Sequence, residues 1–133
     1  MKLDYSFDRE IPVAPLRRLL DQTDWAAGRS DEGIAQVLLL SIATLGVWDG
    51  DRLVAFCRAF GDDIYRAVID DVVVDEPLRG TGIGRDMLQR MMARLEKVEE
   101  VSLGCEDHVK GFYERLGFRP VEWNILYLPE RDR

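Results

Sequence analysis

Three glycines in five residues, Gly80, Gly82 and Gly84, stand between Arg79 and Arg85. Glycine lets a backbone approach a ligand closely and aim successive N–H groups at one point. From Ile83 the apolar residues Met87, Leu88, Met91, Met92, Leu95 and Val98 fall at helical spacing. A helix opening on such a loop adds free N–H groups and a partial positive charge, which together suit a phosphate. A P-loop is excluded, because no Lys-Ser or Lys-Thr follows the last glycine. The dinucleotide fingerprint is not met either. Its spacing is G-x-G-x-x-G, here it is G-x-G-x-G, and no acidic residue ends a second strand about 20 residues on. What remains is Arg79-x-x-Gly82-x-Gly84.

Just upstream, Val72, Val73 and Val74 are β-branched and apolar, as a strand covered on both faces requires. Pro77 cannot donate to a ladder and ends that strand. Asp70 and Asp71 lie inside it. Two adjacent carboxylates among Val and Ile are costly to bury and need a reason. Side chains alternate along a strand, so the pair is expected on opposite faces, with one of them on a substrate side.

The elements that position these groups follow from period and turn chemistry. Leu3–Phe7 alternates as a half-buried strand, and a helix is expected from Pro15 to about Gln22. Ser30 is an N-cap candidate for a second helix, about Asp31 to Leu40, after a loop carrying Trp25. Strands at 44–48 and 53–60 flank Asp49-Gly50-Asp51, a hairpin signal. The strand Arg66 to Val74 leads into the glycine loop and its helix. A strand at 101–105 then completes a parallel βαβ unit with a right-handed crossover. A short helix, Val109 to Leu116, ends at Gly117, and residues 118–120 and 124–128 are expected as β structure. This order predicts one α/β domain over residues 1–133, with an antiparallel half and a parallel crossover.

Strand, Arg79-x-x-Gly82-x-Gly84 and amphipathic helix together resemble the pyrophosphate loop of the GCN5-related N-acetyltransferases (GNAT). Gly111-Phe112-Tyr113-Glu114-Arg115-Leu116-Gly117-Phe118 resembles that family's F-Y-x-x-x-G-F signature. The motifs cover residues 67–118, while the first third matches in element order alone. The resemblance implies a mixed central sheet splayed between the fourth and fifth strands, with helices on both faces. It implies acetyl-CoA as co-substrate, its pantetheine arm on the backbone of Val72, Val73 and Val74. The pyrophosphate would lie on Arg79, Gly80, Thr81, Gly82, Ile83 and Gly84, with Arg85 adding charge.

The implied reaction is direct acetyl transfer to a primary amine, on a small molecule or a peptide. Tyr113 matches the tyrosine that donates to the departing thiolate. Asp71, then Asp70, are the candidates to take the amine's proton, directly or through water. Trp25 is a candidate for the acceptor pocket, and a homodimer is expected. The alternative is a module of the same fold that binds or senses acyl-CoA without turnover. His108 departs from the Asn or Asp that family members often carry near that point, and it is read as an exposed helix-start residue.

Composition narrows the classes further. The 133 residues carry a net charge of −7, which argues against a nucleic-acid face. No apolar run approaches the roughly 18 residues of a membrane span. The start, Met1-Lys2-Leu3-Asp4, lacks signal-peptide character, so a cytoplasmic protein is expected. Cys57 and Cys105 lack metal-type spacing and are expected as buried thiols. With one histidine, no metal is expected.

Overall fold

The computed structural model describes residues 2–129. Strands β1 (Asp4–Ser6), β2 (Ala43–Asp49), β3 (Arg52–Gly61) and β4 (Arg66–Val74) are successive antiparallel neighbours. Strand β5 (Glu100–Ser102) joins β4 in parallel, giving sheet order β1-β2-β3-β4-β5. The helices are α1 (Val13–Leu20), α2 (Asp31–Leu40), α3 (Ile83–Arg94) and α4 (Asp107–Arg115), with a 3-10 turn at Glu76–Leu78.

Helices cover both sheet faces. On one, Leu16, Leu19 and Leu20 of α1 and Ile34 of α2 pack on Trp48, Leu53, Phe56 and Val73. On the other, Met87, Leu88, Met91 and Leu95 pack on Leu45, Val47, Cys57, Ala59 and Ile69. An eight-residue helix such as α1 does not persist alone. Its three buried leucines, at about 2 kcal/mol each, hold it in place. Ser30 caps α2 by accepting from the Gly33 N–H at 3.0 Å. Gly61 closes the β3–β4 turn at φ 140°, where a Cβ would stand 2.3 Å from the Arg66 carbonyl oxygen, so no other residue fits. Among the described residues no helix is long and apolar enough to cross a membrane.

Four expectations are corrected. The strand at 101–105 stops at Ser102, and the helix from Ile83 ends at Arg94 before Leu95 and Val98. Residues 118–120 and 124–128 form no strand. Apolar composition makes a strand only where a partner edge and a packing face exist. Here Trp123, Ile125, Leu126, Tyr127 and Leu128 are 65–88% exposed and meet neither. Cys57 is buried as expected, but Cys105 is exposed, because the chain leaves the sheet before reaching it.

Candidate active site

Strand β4 outruns its parallel neighbour. Pairing with β5 covers Arg66, Ala67 and Val68 only, so from Ile69 to Val74 the β5-facing edge has no strand beside it. Backbone groups along an edge without a neighbouring strand need partners from water or from a ligand. The open edge leads directly to the glycine loop.

The β3–β4 ladder is interrupted opposite Cys57. Its register slips between Phe56 and Arg58, and Asp71 on β4 takes φ 51°, in the left-handed region. A bulge of this kind bends the strand and re-aims its side chains. The expected alternation of Asp70 and Asp71 is therefore corrected: both carboxylates face the same side. Arg58 bridges them, donating from Nε to Asp71 Oδ2 at 2.7 Å and reaching Asp70 Oδ2 from Nη2 at 3.3 Å. Asp71 Oδ2 also accepts from Arg29 Nη1 at 2.8 Å. Burial alone would raise the Asp71 pKa, but the hydrogen bonds from Arg29 and Arg58 outweigh it and hold the carboxyl below its ordinary value. Asp71 Oδ1 is buried without a donor among the described residues. The Asp70 side chain is 44% exposed and that of Asp71 only 1%, so Asp70 is the carboxylate a solute can reach.

At the far end of β4 the Arg79 guanidinium turns back. Its Nε donates to the Val74 carbonyl at 3.0 Å, and Nη2 reaches Gln22 Oε1 at 3.5 Å. The Thr81 hydroxyl donates to the Leu78 carbonyl at 2.6 Å and tightens the loop. Gly82 sits at φ 94° as N-cap of α3 and brings no capping side chain, so the first amides of α3 are free of one. Arg85 Nη2 lies 3.2 Å from where a Cβ on Gly82 would stand, which brings a cation to the helix start, though its Nε also donates to Asp86 Oδ1 at 3.1 Å. The loop therefore fits a diphosphate through main-chain amides, the helix end and Arg85. Gly82→Val forces a β-branched residue to positive φ and fills the mouth of the loop. A rise of at least about tenfold in the CoA dissociation constant is expected by titration calorimetry, equivalent to roughly 1.4 kcal/mol.

The two sequence motifs meet in space. A Cβ on Gly84 would lie 3.5 Å from Phe112 Cζ and 3.7 Å from Val74 Cγ2, so α4 packs on the start of α3. Phe112 and Phe118 hold the Tyr113 ring edge-on, with centroids 5.0 and 6.0 Å away. Burial pushes the Tyr113 hydroxyl up to about 12, with Cys105, Cys57 and Asp70 adding to the shift. It stays protonated at ordinary pH and is a donor, not a base. Trp25, 54% exposed, stands in the α1–α2 connection with Arg29. His108 is exposed, 3.5 Å from Glu106 Oε2. Concavities beside Arg94 and Asp63, and beside Arg18 and Asp49, are lined by no residue of β4 or of the glycine loop.

Sequence reasoning passed over Arg29, Arg58, Gln22 and Asp75. Arg58 left one readable signal, a lone cation inside the apolar run Leu53–Phe60 near two unexplained aspartates. Nothing in the spacing of Gln22 and Asp75 marks them as partners.

A splayed mixed sheet with a glycine loop at the end of its fourth strand defines the class, an acyl-CoA acetyltransferase fold. Residues 41–120 match the acetyltransferase (GNAT) domain, and the chain belongs to that family. Over 69 residues it is 45% identical to serotonin N-acetyltransferase 2, chloroplastic, of Oryza sativa, covering 50% of this chain and 34% of that one. Over 120 residues it is 28% identical to an uncharacterized ycf52-like N-acetyltransferase of Prochlorococcus marinus, covering 86% and 66%. The chain thus spans about a third and just under two thirds of these two relatives. A solved putative GNAT-family acetyltransferase of Xanthomonas campestris superposes with TM-score 0.84 at 27% identity, covering 97% of this chain and 95% of that one.

Proposed function

We propose that the protein is an N-acetyltransferase that moves the acetyl group of acetyl-CoA to a primary amine by direct attack. The observation that carries the reading is the bare β4 edge running from the bulge into a glycine loop that brings no capping side chain. The co-substrate supplies an acyl group activated as a thioester. The N–H groups of Val72 and Val74, on the open edge, orient it, while that of Val73 is turned toward Phe56 on β3. The amides of Gly80 to Gly84 bind its diphosphate, that of Arg79 being held by the Glu76 carbonyl at 3.2 Å. The amine nitrogen bonds to the acyl carbon, the carbon–sulfur bond breaks, one amine proton departs and one thiol forms. A strand N–H is the natural donor to the developing oxyanion. Tyr113 offers its hydroxyl proton to the departing sulfur. Of the two aspartates, Asp70 is assigned the relay of the amine's proton, directly or through water, which its 44% exposure supports. Asp71 is already committed to two arginines.

Trp25 supports an apolar or aromatic wall on the acceptor side. The rice relative's name makes arylalkylamines the first acceptors to try, beside amino acids and peptide amines. Release of free thiol from acetyl-CoA, matched mole for mole by N-acetyl product on at least one amine, is the expected result. Calorimetric binding of CoA with no thiol release on any amine would make the chain a binding module instead. A homodimer, covering the apolar 121–128 tail of each copy, completes the proposal. Sedimentation at twice the monomer mass is expected, and a monomer at all concentrations would refute it.

A further inference from the structure

Besides the apolar packing of α1 on Val73, the connection after α1 hydrogen-bonds β4 and the residue after it at two points, one on each side of Val72–Val74. At the near point Arg29 Nη1 donates to Asp71 Oδ2 at 2.8 Å, beside the bulge. At the far point Gln22 Nε2 donates to Asp75 Oδ1 at 2.9 Å. The Gln22 Oε1 in turn accepts from the Glu76 N–H at 3.0 Å and from Arg79 Nη2 at 3.5 Å. One amide thus joins α1 to the end of β4 and to the first residues leading into the glycine loop. Glutamate cannot replace it, having no donor and bringing a second negative charge to Asp75. Lysine has no acceptor for the Glu76 N–H.

Neither contact is needed to hold its buried aspartate. Without Gln22, Asp75 keeps Arg18 Nη1 and Arg52 Nη2, each at 3.2 Å. Without Arg29, Asp71 keeps Arg58 Nε at 2.7 Å. Helix α1 is held by Leu16, Leu19 and Leu20, and the Arg29 carbonyl by Arg17 Nη1 at 2.8 Å. Removing Gln22 therefore frees the Glu76 N–H and Nη2 of Arg79 on the loop side, while Arg79 Nε keeps the Val74 carbonyl. Removing Arg29 loosens the bulge on the side of the α1–α2 connection, Arg58 still holding Asp71 from β3. We propose that the α1–α2 segment is a two-point clamp on the cofactor strand, with Gln22 a positioning residue for the diphosphate loop and Arg29 a positioning residue for the bulge. The clamp rests on the acyl-CoA reading given above.

The two positions carry separable signatures. Gln22→Ala is expected to weaken CoA binding about tenfold by calorimetry, the loss of one or two ordinary hydrogen bonds, and to raise KM for acetyl-CoA with kcat unchanged. Arg29→Ala is expected to leave the CoA dissociation constant unchanged and to lower kcat about tenfold, with part of it returned by Arg29→Lys. Both variants are expected to melt close to the parent. If Gln22→Ala binds CoA as the parent does, or if the two variants shift affinity and kcat alike, the clamp is overturned and the cofactor reading stands. If the parent itself does not bind CoA, the cofactor reading fails and takes the clamp with it. The calorimetric arm decides Gln22 whether or not any amine is turned over.

Discussion

Tyr113→Phe is expected to lower kcat roughly a hundredfold while leaving the fold and the CoA affinity in place. The substitution removes one oxygen and keeps the ring that Phe112 and Phe118 grip edge-on. With its ionisation pushed up to about 12, the hydroxyl remains a proton donor throughout the useful range. The parent's kcat should therefore show no alkaline limb from this group until the pH nears 12. Single-turnover thiol release with a good amine reads the effect, and a thermal melt checks the fold. A variant that turns over at the parent's rate would remove Tyr113 from the chemistry.

Asp71→Ala carries the largest expected loss of stability. It leaves Arg58, whose side chain is 12% exposed, with Asp70 alone at 3.3 Å, and unpairs Arg29 as well. Removing one partner of a buried ion pair costs about 3–5 kcal/mol. For a chain of this size the melting temperature should fall by roughly 10 °C or more. Asp71→Gly should recover about 1 kcal/mol of this, because glycine accepts φ 51° without a Cβ. The sign with pH follows from the lowered native pKa. The carboxylate's contribution is fully present above its unfolded value. It fades as pH falls through the lower native one. The parent should therefore lose its advantage over Asp71→Asn in acid, and a gap that stayed constant with pH would contradict the pairing.

Local chemistry was legible wherever a single residue type has a single use. Asp49-Gly50 marked the β2–β3 hairpin, Ser30 the start of α2, Gly117 the end of α4, and the valine run the extent of β4. The two glycine-bearing motifs were readable one by one, but not that α3 and α4 share one corner, where Gly84 meets Phe112. What stayed hidden depends on register and on distant partners. Period-2 alternation put Asp70 and Asp71 on opposite faces, and one left-handed residue cancelled it. The tail 124–128 has strand composition, yet β5 is too short to offer it an edge. Arg29 and Asp71 are 42 positions apart, and Gln22 and Asp75 are 53 apart, beyond anything spacing can pair.

The short β5 has a further consequence for the life of the chain before it meets its co-substrate. A run of main-chain donors and acceptors left without a neighbour is a template for another polypeptide's backbone, and such surfaces seed precipitation. On the reading proposed above, a nucleotide thioester shields that run. The chain's solubility would then follow the supply of acylated coenzyme, and scarcity would expose it to aggregation and proteolysis well before heat did.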